Sequence, residues 1–217
     1  MRITRIESQK RRPGRKNVYI DDRFAFGIND ETLIRIGLRT GDEIDRSAIR
    51  SIESTEDLAS GKKLALRFLA HRARSVHEVR QRLLKHEVER EIVEQIISDL
   101  LEARLLDDHE FARMFIRDRL RSRPSGRILM KQKLRMLGID ERKAEGALEE
   151  ILGSVSQESV AIGAARKFLK SRRGNTKDPL ALRRKLAGFL ARRGFAWDVI
   201  TTVLKKVLGK QVAETTE

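Results

Sequence analysis

From about residue 46 onward, apolar residues recur at the spacing that places them on one face of an α-helix. The clearest pattern, i, i+3, i+4, i+7 and i+8, occurs three times. The second occurrence lies 51 residues after the first, and the third lies a further 56 residues along the chain. The three sets are Val93, Ile96, Ile97, Leu100 and Leu101; Ala144, Ala147, Leu148, Ile151 and Leu152; and Ile200, Val203, Leu204, Val207 and Leu208. Self-similarity at a nearly fixed period indicates an internal repeat.

Two further helices precede each of these stripes at matching offsets. The first helices are "KKLALRFLAHR", "EFARMFIRDRL" and "SVAIGAARKFLKSRR". Apolar pairs mark the middle helices: Val79 and Leu83, Met130 and Leu134, and Leu186 and Leu190. The turns that follow the middle helices hold Glu87-Val88, Gly138-Ile139 and Gly194-Phe195. Glycine at such a turn is typical of a left-handed helix cap. The predicted unit is therefore three helices in about 50 residues.

The first 45 residues follow a different pattern. Short apolar stretches alternate with polar residues at strand period in "MRITRIESQK", "VYI" and "FAFGI", and a Pro-Gly turn signal separates the first two. Asn29 or Asp30 is a plausible N-cap for a short helix that begins with "ETLIRIGL". This segment is predicted to be a small β-rich module.

Together these patterns predict a mainly α fold, in which three tandem three-helix repeats form an elongated or curved array after the β-rich module. Each repeat buries only a modest core alone, so the repeats are expected to touch. The expected boundaries are the β-rich module at 1–45, a linker helix at 46–58, repeat 1 at 59–106, repeat 2 at 107–153, repeat 3 at 154–210 and a flexible tail at 211–217.

The net charge of +15 favours a polyanionic partner, with nucleic acid first. The charge is uneven: residues 153–217 carry 14 basic and 5 acidic side chains, whereas the rest of the chain is nearly balanced. Basic clusters such as "RKFLKSRRGNTK", "LRRK" and "ARRG" in repeat 3 are typical of contacts to phosphates.

Other classes of function find little support in the composition. The chain has no cysteine, no stretch long and apolar enough to cross a membrane and no nucleotide-binding glycine motif, so a cytoplasmic monomer without cofactor or metal is expected. Trp197 lies near the start of the last helix, where a packing contact is favoured over an anchor for a partner.

The stretch "LLDDHEFA" at residues 105–112 holds two adjacent acids and a histidine, which admits a metal site or an acid–base centre. The spacing of Asp107 and Glu110 is instead that of a capping box, and an apolar run follows directly. A metal site would need further carboxylates at defined spacing, which the sequence lacks. Asp107 and Glu110 are therefore predicted to cap the first helix of repeat 2.

These features resemble the RecX family of bacterial regulators of the RecA recombinase. The most specific parts are "RSVHEVRQRL" (residues 74–83), "LLDDHEFA" and the following "SGRILMKQKLRMLGI". The resemblance covers residues 59–208, and the first segment is similar to the extension of longer family members. Repeat 3 is looser: it carries a "GNTKD" insertion, and Ala187 and Phe189 stand where repeats 1 and 2 have basic residues.

The resemblance implies a non-enzymatic protein that binds the RecA–DNA filament, lodges in its groove and inhibits or disassembles it, so that recombinase, ATPase and co-protease activities fall. Basic residues are expected to contact RecA or the phosphates of single- or double-stranded DNA. The candidates are Arg72, Arg74, Arg80, Arg82, Lys131, Lys133, Arg172, Arg173, Arg183, Arg184, Arg192 and Arg193.

Two other functions remain open from the residues alone. One is a free-standing protein that binds DNA or RNA without sequence preference. The other is a helix-turn-helix repressor, which the second and third helices of a repeat could mimic, although no residues suited to base readout are evident.

Overall fold

The structure is a computed structural model that describes residues 1–10, 13–171 and 178–213, with side chains described as far as residue 209. Two compact units are present. Unit 1 comprises residues 1–73 and 79–105, and unit 2 comprises residues 74–78 together with the described residues from 106 onward. Among the helices in these ranges, none combines the length and the apolar character that a membrane crossing requires.

The N-terminal module is a three-stranded antiparallel sheet in the order β1-β2-β3, followed by one short helix. Its elements are β1 (Ile3–Ser8), β2 (Arg15–Ile20), β3 (Arg23–Asn29) and α1 (Asp30–Ile36). Asp21 and Asp22 both have positive φ, as the tight turn between β2 and β3 requires. Residues that alternate along the strands point to one buried face, so the predicted β-rich module is confirmed.

A single helix, α2 (Arg46–His71), spans both the expected linker and the first helix of repeat 1 without a break. Its buried Glu56 accepts hydrogen bonds from the backbone and side-chain N–H groups of Asn29 and lies 3.4 Å from the Arg15 guanidinium. Because a buried carboxylate is costly unless it is paired, this network fixes where α2 meets the sheet.

Eight further helices complete the described fold, and the prediction of three tandem three-helix repeats is confirmed. They are α3 (Val76–Lys85), α4 (Arg90–Glu102), α5 (Asp108–Ser122), α6 (Arg127–Met136), α7 (Glu141–Leu152), α8 (Gln157–Lys170), α9 (Pro179–Arg192) and α10 (Trp197–Ala213). The predicted stripes face the cores, except that Leu101 is 43% exposed. Equivalent residues fill the cores of repeats 2 and 3: Met130 and Leu186, Leu134 and Leu190, Ile139 and Phe195, and Leu148 and Leu204.

Successive segments of unit 2 are joined by one type of contact. The Ser75 hydroxyl donates to the Leu137 carbonyl at 2.7 Å, and the Gly126 N–H, one repeat later, donates to the Arg193 carbonyl at 2.8 Å. In both cases the start of a middle helix meets the turn between the middle and last helices of the next repeat. The turn glycines, Gly138 and Gly194, have φ near +75° and lie tightly against His77 and Leu129.

Candidate nucleic-acid interface

The two acids of "LLDDHEFA" both serve helix N-termini. Asp107 Oδ1 accepts hydrogen bonds from the backbone N–H groups of His109 and Glu110, at 2.8 and 3.1 Å, and so caps α5. The Glu110 N–H is the main cause that lowers the pKa of Asp107 below its ordinary value. Asp108 is buried, and its Oδ1 accepts from the Val76 N–H at 2.9 Å, at the first residue of α3.

The Glu110 carboxylate does not return to the backbone of Asp107; it lies 3.4 Å from Arg113 and 3.9 Å from Arg117. A reciprocal capping box is instead made by Ser75 and Glu78: the Ser75 hydroxyl accepts from the Glu78 N–H, and the Glu78 carboxylate accepts from the Ser75 N–H. Across the described residues, no three His, Asp or Glu side chains are arranged to hold a metal ion.

Removing these acids should lower stability in a defined order. Asp107→Ala should reduce the free energy of unfolding by about 0.5–2 kcal/mol through loss of the cap. Asp108→Ala should cost about 1–3 kcal/mol, because it leaves the Val76 N–H without its acceptor. Urea unfolding at pH 7 measures both costs. Asp118→Ala, on the exposed side of α5, is the control and should change stability by less than about 0.5 kcal/mol.

The pH dependence follows from the lowered pKa of Asp107. A carboxylate whose pKa is depressed by folding stabilises the protein above its unfolded pKa and stops doing so as the pH falls through the folded pKa. The difference between the parent and Asp107→Ala should therefore be constant near neutral pH and shrink below about pH 4. If Asp107→Ala instead kept its stability and lost a binding activity, the acid would be a partner contact.

Three of the candidate cations in repeats 1 and 2 lie in ion pairs with neighbouring carboxylates. The Arg80 guanidinium donates to both oxygens of Glu94, at 2.7 and 2.8 Å. Lys131 Nζ lies 2.9 Å from Glu141 and 3.2 Å from Glu145. The hydrogen bond from Arg80 lowers the pKa of Glu94, as expected for a carboxylate held by a cation. Arg74 pairs with Glu78 in the same way. Such pairs offset much of the positive potential at these positions.

The remaining candidates in repeats 1 and 2 are mixed in character. The half-buried Arg82 places its guanidinium 5.5 Å from the centre of the Phe68 ring. Lys133 is also half-buried, and Arg72 is exposed and donates to the Ala73 carbonyl. Arg82 therefore has a packing role besides its charge.

Repeat 3 presents its cations differently. Arg183, Arg184, Lys185 and Arg192 are exposed along α9, and no carboxylate of the described ranges lies within ion-pair distance of them. Arg184, Lys185 and Arg192 line one groove with Gly188 and the ring of Phe168. The structure thus brings three of these cations together on one surface, which we call the α9 groove.

Arg193 differs from its neighbour Arg192. Its guanidinium donates to the Pro124 carbonyl at 3.4 Å and lies 5.1 Å from the centre of the Phe189 ring. These contacts hold the turn after α9 in place. Arg172 and Arg173 lie outside the described residues.

The sequence reasoning missed two positions on α10. Thr201 and Lys205 stand 56 residues after Glu145 and Glu149, the acids that hold Arg127 in repeat 2. The offset that revealed the repeats would also have revealed this exchange. Trp197 is 67% exposed, so the favoured interpretation of its side chain as a packing contact is wrong.

Comparison with known proteins agrees with this architecture. Four RecX family models match in order: the N-terminal domain at residues 1–45 and the first, second and third three-helix domains at 62–100, 107–148 and 157–204. A regulatory protein RecX from Halalkalibacterium halodurans is 36% identical over 98% of this chain and 80% of its own length. The Bacillus subtilis protein of the same name is 30% identical over 94% of this chain and 76% of its own.

Solved structures are similar along most of the chain. A crystal structure of regulatory protein RecX has a TM-score of 0.67 and 27% identity, covering 96% of this chain and 98% of that one. RecX from Lactobacillus salivarius, at 24% identity, shares the fold with a TM-score of 0.61 over 70% of this chain and 97% of its own. The identity, its coverage and the order of the four matched domains lead to one conclusion: the chain belongs to the RecX family of regulatory proteins.

Proposed function

We propose that this chain regulates the RecA recombinase in the cytoplasm by binding the RecA–DNA filament as a monomer. Binding inhibits the recombinase, ATPase and co-protease activities of RecA without any reaction catalysed by the chain itself. Membership of the RecX family supports this proposal, and RecA enters through the resemblance in the sequence. The observation that carries the DNA part is the exposed set of cations on α9, which no carboxylate of the described ranges neutralises.

The distribution of charge supports a division of labour between the repeats. Cations of repeats 1 and 2 such as Arg80 and Lys131 already hold neighbouring carboxylates, so they present a mixed surface that suits a protein partner. The cations of the α9 groove have no such neutralisation within the part of the chain that the structure describes, and uncompensated cations gain most from the release of counterions by phosphates. Repeat 3 is therefore the part of the chain that we assign to DNA phosphates.

The test is a titration of RecA's DNA-dependent ATPase, strand exchange and LexA cleavage with this chain at ratios below one per RecA. All three activities should fall, because a protein lodged in the filament groove blocks several RecA subunits at once. No effect at any ratio would remove RecA from the proposal.

The alternative is a free-standing binder of DNA or RNA, which the net charge of +15 also favours. Salt-titrated binding to bare single- and double-stranded DNA separates the two. A free-standing binder should hold bare DNA as tightly as the filament, whereas a filament-directed regulator should prefer the filament.

A further inference from the structure

One surface of repeat 2 is held together by opposite charges. Between α6 and α7, Arg127 lies against Glu145 and 3.2 Å from Glu149, and Lys131 lies 2.9 Å from Glu141. The hydrogen bond from Arg127 is the main cause that lowers the pKa of Glu145. We call this surface the α6–α7 seam.

The equivalent seam of repeat 3, between α9 and α10, has none of these three acids. At the offset of 56 residues, Trp197, Thr201 and Lys205 replace Glu141, Glu145 and Glu149. Ala187 replaces Lys131, whereas Arg183 keeps the cation of Arg127. The two cores are filled by equivalent residues, so α9 and α10 hold these side chains in the positions that the seam of repeat 2 defines.

This exchange turns a neutralised seam into a cationic one with an aromatic edge. Arg183 and Lys205 are both exposed, and the equivalence places them on facing sides of the seam. Between them stand Ala187 and Thr201, and the Thr201 hydroxyl already donates to the Asp198 carbonyl at 2.8 Å. Trp197 marks the end of the seam with two thirds of its surface exposed.

Cations and an exposed indole together fit one class of ligand, a single strand of nucleic acid. Each base offers a flat π-face that stacks on an aromatic side chain, while the backbone beside it offers phosphates to basic residues. A protein segment rich in acids would satisfy the cations but would leave the indole in water. A duplex would satisfy the cations but keeps its bases stacked on each other.

We propose that the α9–α10 seam binds a nucleotide of a single strand, with its base stacked on Trp197 and its flanking phosphates held by Arg183 and Lys205. This inference rests on the assignment of repeat 3 to nucleic acid in the proposed function, and it adds contact with the bases. It does not depend on RecA.

Trp197 is the single tryptophan of the chain, so its fluorescence reports on the seam directly. Titration of the full chain with an oligothymidylate should quench the emission strongly, because a stacked base quenches an indole. An abasic oligomer of the same length and charge should bind more weakly and quench little. Equal quenching by both oligomers would overturn the stacking.

Substitutions give a second measurement that does not use the indole signal. Binding of a labelled oligothymidylate should weaken about tenfold in Trp197→Ala and much less in Trp197→Phe, which keeps an aromatic face. The double variant Thr201→Glu with Lys205→Glu restores the acids of repeat 2, so it should fold and bind more weakly by a similar factor. Arg127→Ala, at the position equivalent to Arg183, is the matched control and should bind like the parent.

Unchanged binding in both Trp197→Ala and the double variant would overturn the site. The outcome is separable from the RecA proposal, since no RecA is present. Quenching without RecA inhibition would refute the proposed regulation and leave the seam standing, and RecA inhibition without quenching would do the reverse.

Discussion

Replacing Arg184, Lys185 and Arg192 with glutamate should weaken binding to the RecA–DNA filament by about 100-fold or more at low salt. All three side chains are exposed in the α9 groove, and they have no carboxylate partner among the described residues. Each reversal removes a cation from the phosphates and adds a repulsion. The slope of log affinity against log salt for bare DNA should also fall by about 0.7–0.9 for each phosphate that the variant no longer neutralises.

Fluorescence anisotropy with labelled DNA, bare and coated with RecA, measures both quantities. The matched control reverses Arg121, Arg142 and Lys143, three exposed cations of repeat 2, and so changes the net charge by the same amount. If binding depended only on net charge, the two triple variants would bind equally weakly, and the assignment to repeat 3 would be wrong. Thermal unfolding of both proteins confirms that the fold is intact.

Gly194→Ala should lower the free energy of unfolding of unit 2 by about 3 kcal/mol, the largest effect of a single methyl group that we expect in this chain. The residue has φ of +76°, which costs an L-residue roughly 1–2 kcal/mol. A Cβ atom there would stand 2.3 Å from the backbone nitrogen of Leu129. Such overpacking against backbone costs roughly 1–3 kcal/mol more.

Repeat 1 supplies the control for this substitution. Glu87 occupies the equivalent turn with φ of 61° and is exposed. Glu87→Gly should therefore be neutral or should stabilise by up to about 1 kcal/mol, because it relieves the strain of a left-handed L-residue. Chemical denaturation of the three proteins tests the pair, and equal stability of Gly194→Ala and the parent would show that the turn can move away from Leu129.

Helical periodicity was enough to recover the three repeats, because it depends on neighbours three and four residues apart. The stripe from Ile200 to Leu208 is buried as its spacing predicts, and Asp107 caps α5 through N–H groups two and three residues on. The Ser75–Glu78 capping box is equally local and could have been read from "RSVHEV".

Side chains that bond across the fold were misjudged or missed. The spacing of Asp107 and Glu110 suggested a reciprocal pair, but the Glu110 carboxylate lies nearer to Arg113 and Arg117 one turn along α5. Asp108 was considered beside Asp107 as a metal ligand, yet it caps α3 from 32 residues away. Trp197 was expected to pack because large aromatic residues usually do, and exposure depends on neighbours that are distant in sequence.

The pattern of apolar residues along the chain therefore settled the helices, their grouping into three repeats, the β-rich module and the family, because each of these depends on short-range spacing or on a motif. Tertiary structure decided which charges are neutralised. Arg80 and Lys131 meet their carboxylates across 10–14 residues, while Arg184 and Arg192 meet none among the described residues. An ion pair depends on the distance between two charges in space, and for partners on different helices only their packing sets that distance.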